Sequence, residues 1–351
     1  MSFLFNKISA SYEEKLPFVC FNKPNSRELK GYFDKDSTLR YSNDFKEEGF
    51  VFAPFNNENP AIIFLRETSE ILEGSYLENS KISSNNENLI VFSDKENHLE
   101  LVQKGIDAIN NSEFKKVVLS RKEIIEVSSI DVLETFERLL QKYENAFVYV
   151  WFHPKVGLWM GATPERLVTL KDGEFHTMAL ASTQKYQGDL NPIWGEKEKK
   201  EHQYVVDYIV SKIKNQQNGI ILKKFSVSNT YTVRAGGLVH LKADITGEIG
   251  DFELKSLLNT LHPTPAVCGL PKEVTKSFIL ANENYDRTFY TGFLGEVNSN
   301  FQTELFVNLR CVEFNEKHAV IYVGGGVTDE SNPENEWLET CNKTETIKSV
   351  L

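Results

Sequence analysis

Strand-like stretches in this chain arrive in runs rather than alternating one by one with helices, and no other feature restricts the fold as strongly. Phe147 to Phe152 and Leu158 to Met160 are separated only by His153-Pro154, and Leu305 to Phe314 is followed closely by Ala319 to Val323. Val239 to Ile249 reads as a further strand. Within the first 95 residues, Tyr32-Phe33, Phe50-Val51-Phe52 and Ile62-Ile63-Phe64-Leu65 read as short strands, with polar loops at Asn56 to Pro60 and Asn79 to Asn88. Runs of strands set between runs of helix place the chain in the α+β class with large, mostly antiparallel sheets. At 351 residues with 40% apolar composition it has ample surface for a core.

Helical periodicity is confined to a few segments. Asn97 to Asn111 places Leu99, Val102, Ile106 and Ile109 on one stripe. Asp131 to Tyr143 is a helix with Ser129 or Asp131 as its cap, and Glu196 to Lys214 is a long helix ended at Asn218-Gly219. Pro333 to Leu351 forms the last helix, with Asn332 as N-cap and Pro333 in the first turn.

Two of these helices carry acids where apolar residues belong. At about 100° per residue, the face of Val205 and Ile209 extends back to Glu201 and Glu198. In the last helix, the stripe of Ile347 and Val350 extends back to Lys343, Glu339 and Glu336. Buried unpaired carboxylates are costly. A hard divalent cation such as Mg²⁺ is one remedy, since it takes oxygen ligands and keeps several waters. Favourable interaction of solvated acids with the helix dipole is the other reading.

Further local features are ambiguous by themselves. Gly324-Gly325-Gly326 after an apolar strand either permits close approach of a ligand or makes a tight turn. Lys116 shares a strand face with Val118 and Ser120, where burial would favour the neutral amine that a base needs; an edge-strand lysine fits as well. Glu165 and Arg166 follow a strand in what looks like a surface turn, and His262-Pro263-Thr264-Pro265 is a rigid loop.

Composition excludes several classes. The net charge of −11 argues against a general nucleic-acid binder but not against a small anionic ligand held by local cations. Apolar runs fall short of the roughly 20 residues that span a bilayer, and Met1 to Ala10 shows no secretory pattern, so a cytoplasmic protein is expected. Cys20, Cys268, Cys311 and Cys341 are scattered, which fits packing residues in a reducing compartment.

Taken in order, these segments resemble the chorismate-utilising enzymes, the family of isochorismate and salicylate synthases, anthranilate synthase large subunits and aminodeoxychorismate synthases. The matching blocks are Lys116 to Arg121, Gly161 to Leu167, Ala179 to Thr183, Lys200-Glu201-His202, Leu238 to Leu241 and His262 to Val267. They continue with Tyr285 to Gly292, Asn308-Leu309-Arg310, Tyr322 to Val327, and Pro333 to Thr340 with Lys343 beyond. The match covers residues 96–351 as the catalytic core, with residues 1–95 completing the sheets of one domain spanning 1–351.

The resemblance implies two large packed antiparallel sheets with helices outside, and Mg²⁺ as cofactor. It implies Glu201 and Glu339 as direct ligands, with Glu198 and Glu336 acting through water. Arg310 and Tyr290, with backbone N–H groups near Gly324, would clamp the enolpyruvyl carboxylate of chorismate, and Lys343 would add a cation. Thr183, His240, Ala266 and Val267 match positions around the ring. Lys116 matches the lysine base of the water-using branch, where the ammonia-using branch usually carries Gln, and Glu165 matches the general acid. Ala181 stands where aminodeoxychorismate synthases carry a nucleophilic Lys. Ser182 departs from the family, which usually has Gly there. The reading is therefore isochorismate synthase, an isomerase serving menaquinone or siderophore synthesis. It would act as a monomer, with chorismate as substrate and without a glutaminase subunit, nucleic acid or membrane. Salicylate synthase is the runner-up, ahead of anthranilate-type synthesis or a non-catalytic chorismate binder.

Overall fold

A computed structural model of the chain describes residues 3–76, 90–127, 130–215, 222–235, 237–250, 253–315 and 317–351. From the N-terminus the elements are α1 (Phe3–Glu13), β1 (Phe18–Asn22), β2 (Glu28–Asp34), β3 (Tyr41–Ser42), β4 (Gly49–Ala53), β5 (Ala61–Leu65), β6 (Ser69–Ser75) and β7 (Val91–Ser93). Next come α2 (Lys95–Asn110), β8 (Lys116–Glu126), α3 (Val132–Lys142), β9 (Phe147–His153), β10 (Gly157–Thr163), β11 (Arg166–Lys171), β12 (Glu174–Lys185) and α4 (Glu196–Lys214). The chain continues through β13 (Leu222–Val227), β14 (Tyr231–Ala235), β15 (Leu238–Ile249), α5 (Leu254–Leu261), β16 (Gly269–Leu270) and α6 (Lys272–Asn282). It closes with β17 (Phe293–Ser299), β18 (Gln302–Val307), β19 (Cys311–Phe314), β20 (His318–Val327) and α7 (Pro333–Lys348).

The strands form two ten-stranded sheets. The first runs β16-β8-β20-β19-β10-β9-β1-β2-β6 with β7 beside β8, and the second runs β13-β15-β12-β11-β18-β17-β4-β5-β3 with β14 beside β15. The pairings of the site strands are antiparallel. Strands from the first 75 residues join both sheets: β1, β2 and β6 the first, β3, β4 and β5 the second.

The sheets meet across an aromatic layer. Phe50, Phe52 and Phe64 of the second sheet pack against Tyr149, Trp151 and Trp159 of the first, with Phe52 and Trp151 ring centroids 5.0 Å apart. Large planar side chains fill this gap with few rotamers to lose. Helices cover the outer faces. α1 and α3 pack on the first sheet through Leu4, Phe5, Phe136 and Leu139, and α4 and α5 on the second through Val205, Ile209, Leu257 and Leu261. Among the described residues no helix is long and apolar enough to cross a membrane.

Several boundaries follow from caps. Asp131 accepts from the Glu134 N–H and starts α3, while Ser129 lies outside the described residues. Asn332 accepts from the Asn335 N–H with Pro333 next in line, the arrangement that satisfies orphan donors of a first turn. α4 ends at Lys214; Asn218-Gly219 and Asn79 to Asn88 lie outside the described residues.

Two expectations are corrected. Leu305 to Phe314 is not one strand: β18 stops at Val307 and β19 begins at Cys311. Asn308 is buried in the break. It accepts from Tyr149 Oη (2.7 Å) and donates from Nδ2 to the Phe289 carbonyl (2.9 Å). Arg310 leaves the break at φ +48°, outside strand geometry. Gly324-Gly325-Gly326 is not a turn either. It lies inside β20, paired with Ser120, Leu119 and Val118 of β8. Helices α1, α5 and α6 also form in stretches where the periodicity had not marked a helix. The four cysteines are unpaired, with Cys20, Cys268 and Cys311 buried.

Candidate active site

A cleft at one end of the sandwich is lined by both sheets and closed by α4 and α7. Its walls include Val118, Glu165, Leu180 to Thr183, Glu201, His240, Ala266, Val267, Tyr290, Arg310, Gly324, Glu339 and Lys343. Counted with its open mouth it measures about 870 Å³, within the range of small-molecule sites.

The carboxylate end is built by the first turns of α4 and α7. α4 is pinned to β12 by His202, whose Nε2 lies 3.3 Å from the Ala179 carbonyl. Glu201, Glu336 and Glu339 then converge on β20. A Cβ on Gly326 would collide with Glu201 Oε1, and one on Gly325 would stand 3.2 Å from Glu336 Oε2 and 3.9 Å from Glu339 Oε1. Glycine is what lets the carboxylates reach this backbone.

Each carboxylate of the cluster is closed onto a lysine. Lys116 Nζ is 3.0 Å from Glu201 Oε1, Lys197 Nζ 2.7 Å from Glu336 Oε1 and Lys343 Nζ 2.7 Å from Glu339 Oε1. The fully buried Lys116 ammonium lies off the line of a hydrogen bond, so that pair is an electrostatic contact. Burial alone would raise Glu201, but Lys116, Lys343 and Lys197 overcome it and hold the carboxyl below its usual value. Glu336 goes the other way: burial and the charge of Glu339 raise it despite Lys197. Three carboxylates face three lysines here, and the acid side chains offer only hard oxygen donors, the ligand chemistry that fits a divalent cation of the Mg²⁺ type. Among the described residues no three His, Cys, Asp or Glu side chains are already gathered as a metal-holding group. The Glu198 carboxylate folds back over Gly195 and does not line the cleft.

The opposite end carries fixed cations and one buried acid. Arg310 Nη2 donates to His240 Nε2 (2.9 Å). His240 Nδ1 faces the Ser182 carbonyl at 3.1 Å, so the proton is assigned to Nδ1. Burial, Arg310 and Lys343 push His240 down to about 3, which keeps it neutral. Burial draws Arg310 down to about 10, still charged at neutral pH. Tyr290 stacks on Tyr322 with centroids 5.6 Å apart. Its hydroxyl would be 3.1 Å from a Cβ on Gly324, so this glycine too permits a close approach. Lys343 Nζ also donates to the Gly324 carbonyl (2.9 Å).

Glu165 ends the β10 side of the cleft at 5% exposure. Burial pushes it up to about 8 against the pull of Lys116, Lys343 and Arg310, so it is mostly protonated at neutral pH. A carboxylic acid kept neutral by burial is a proton donor in waiting.

The structure brings Glu165, Thr183, Glu201, His240, Ala266, Val267, Tyr290, Arg310, Gly324, Glu339 and Lys343 onto one cleft, with Lys116 behind Glu201. Glu336 is buried beside this group, and only Glu198 points away. Reasoning from sequence missed Lys197, which stands one turn before Glu201 on the same helix face and reaches across to α7. That i, i+4 spacing was the available signal. It also missed Val118, Leu180 and Tyr322 as walls.

The family model described as chorismate binding enzyme matches residues 56–351. The chain is 28% identical over 269 residues to isochorismate synthase DhbC of Bacillus subtilis, covering 71% of this chain and 66% of that protein. It is 27% identical over 259 residues to the salicylate biosynthesis isochorismate synthase of Pseudomonas aeruginosa, covering 71% and 53%. The matched part thus spans about half to two thirds of the length of these curated relatives. Among solved structures, the DhbC protein of Bacillus anthracis superposes with a TM-score of 0.82 at 24% identity over 99% of both chains, so the fold is shared.

Proposed function

The chain belongs to the chorismate binding enzyme family, and from that premise we propose that it is an isochorismate synthase, an isomerase that adds water at C2 of chorismate and expels the C4 hydroxyl. One observation carries this reading. A buried lysine and a buried, protonated glutamic acid serve a single cleft that also holds Arg310 and Lys343 for a dianionic substrate.

Lys116 must first give up the proton it holds beside Glu201; the amine then takes a proton from the attacking water while oxygen bonds to C2. The ring double bonds shift, and Glu165 gives its proton to the departing C4 hydroxyl, which leaves as water. Lysine ends protonated and glutamate ionised, and proton return through solvent resets the pair. One water enters and one leaves, so the reaction is an isomerisation. Arg310 and Tyr290 hold the enolpyruvyl carboxylate, with charge-assisted contacts supplying orientation as well as affinity. Neutral His240 holds the Arg310 guanidinium, and Thr183, Ala266 and Val267 border the ring. Glu201 and Glu339 would bind Mg²⁺ directly and Glu336 through water, while Glu198, turned back over Gly195, takes no part. Mg²⁺ would supply a hard cation for the ring carboxylate. The chain needs no glutaminase subunit, and its product serves menaquinone or siderophore synthesis.

The test is incubation of the purified protein with chorismate and Mg²⁺, followed by chromatography. Isochorismate in equilibrium with chorismate is expected, and Lys116→Ala should abolish it while the protein stays folded. Salicylate with pyruvate would make it a salicylate synthase, and anthranilate formed only with ammonia would overturn the role of Lys116.

A further inference from the structure

Ser182 stands in the β12 wall of the cleft, and its side chain reaches across to α4. β12 has a bulge between Ala181 and Thr183, so that Ala181 pairs with Leu241 and Thr183 with His240, leaving Ser182 unpaired. Ser182 takes φ +62°, a left-handed conformation that favours glycine. A serine there is strained, and such strain persists only where the surroundings hold it.

What the serine adds over a glycine is a hydroxyl. Ser182 Oγ lies 2.6 Å from the Glu198 carbonyl in the first turn of α4 and 3.2 Å from Glu201 Oε2, with one hydrogen to serve the two acceptors. Glu201 Oε1 is already taken by Lys116. The two oxygens of Glu201 are therefore held by different groups, Oε1 by the β8 lysine and Oε2 by the β12 serine, which fixes the plane of the carboxylate. The Ser182 carbonyl accepts from His240 Nδ1 and so sets the ring that receives Arg310. The residue is 6% exposed, so water competes little for these contacts.

We propose that Ser182 is a positioning residue that orients Glu201 toward the divalent cation, its hydroxyl locking the β12 bulge to α4. This rests on the reading of Glu201 as a cation ligand. Groups that orient a metal ligand from behind are typically worth about 10- to 100-fold in metal affinity.

Calorimetric titration of Mg²⁺ alone into the wild-type protein, Ser182→Ala and Ser182→Gly tests this, with thermal melts without metal as a control of folding. Both variants should bind Mg²⁺ about tenfold or more weakly. Ser182→Gly should melt no lower than Ser182→Ala, because glycine takes the positive φ freely. Unchanged Mg²⁺ affinity in both variants would overturn the proposal. So would wild-type affinity in Ser182→Gly with loss only in Ser182→Ala, which would assign the effect to the backbone. If the wild-type protein binds no Mg²⁺, the cation reading of Glu201 falls and this inference falls with it.

Discussion

At the scale of single residues, burial decides chemistry. Glu165 follows a strand in a stretch that reads as a surface turn, and nothing in its neighbours along the chain marks it as an acid catalyst. It becomes one because it is 5% exposed and raised to about 8. The protonated form is the active one, so kcat/KM for chorismate should fall as pH rises through about 8. Glu165→Gln should lose turnover and with it that alkaline limb; a pH–rate profile of both proteins is the check. Gly326 makes the same point sterically. A Cβ there would collide with Glu201 Oε1 and sit 3.2 Å from Lys116 Cε. Gly326→Ala should fold, because its neighbours in β20 keep their pairing, yet lose most activity through displacement of Glu201. Steady-state kinetics beside a circular dichroism spectrum would show it; wild-type kcat would remove the constraint. Lys116 and Lys343 were legible as candidates because strand and helix periods place them on the inward face. Arg310 and His240 were legible only through family resemblance, since their meeting at 2.9 Å depends on two distant strands.

At the scale of elements, the two acid-bearing helices were readable because their apolar stripes, Val205-Ile209 and Ile347-Val350, point back onto the glutamates. Their caps were partly readable as well: Asn332 caps α7 as its side chain and the following proline suggest. Asn332→Ala should destabilise the protein by about 1 kcal/mol. Because Glu336 stands in the first turn of that helix, the variant should also weaken Mg²⁺ dependence of turnover. Urea unfolding and a Mg²⁺ titration of activity measure the two effects, and an unchanged unfolding midpoint would remove the cap's contribution. The break between β18 and β19 was not readable. Leu305 to Phe314 is apolar enough for one strand, and only the bonds of Asn308 to Tyr149 and Phe289 interrupt it. The glycine run left two readings open, close approach or a tight turn, and the structure supports the first: it lies inside a strand, where glycine lets side chains come close to the backbone.

At the scale of the whole molecule, both pH limits of stability follow from groups buried at the site and beneath it. His240 and His262 are held near 3 by burial and nearby cations. Their ordinary value is about 6.5, so the unfolded chain binds more protons and stability is lost as pH falls from about 6.5 toward 3. Glu165 has the opposite sign. Its folded value is raised, so its contribution is full below about 4.5 and lost as pH rises through about 8. Each group changes stability by at most about 1.4 kcal/mol per pH unit. The two windows overlap between about 4.5 and 6.5, so urea midpoints across pH should peak near the top of that overlap, where the opposing slopes cancel, and Glu165→Gln should remove the loss of stability on the alkaline side of the peak. By itself the sequence determined the α+β class, the inward faces of α4 and α7, and the family, because local periodicity and ordered motifs survive without knowledge of the partner strands. The tertiary structure alone decided which of the strands β1 to β6 joins which sheet, that Glu165 is buried and that Glu198 turns away. It also decided that Arg310 reaches His240, for these depend on desolvation and on contacts between segments far apart in the chain.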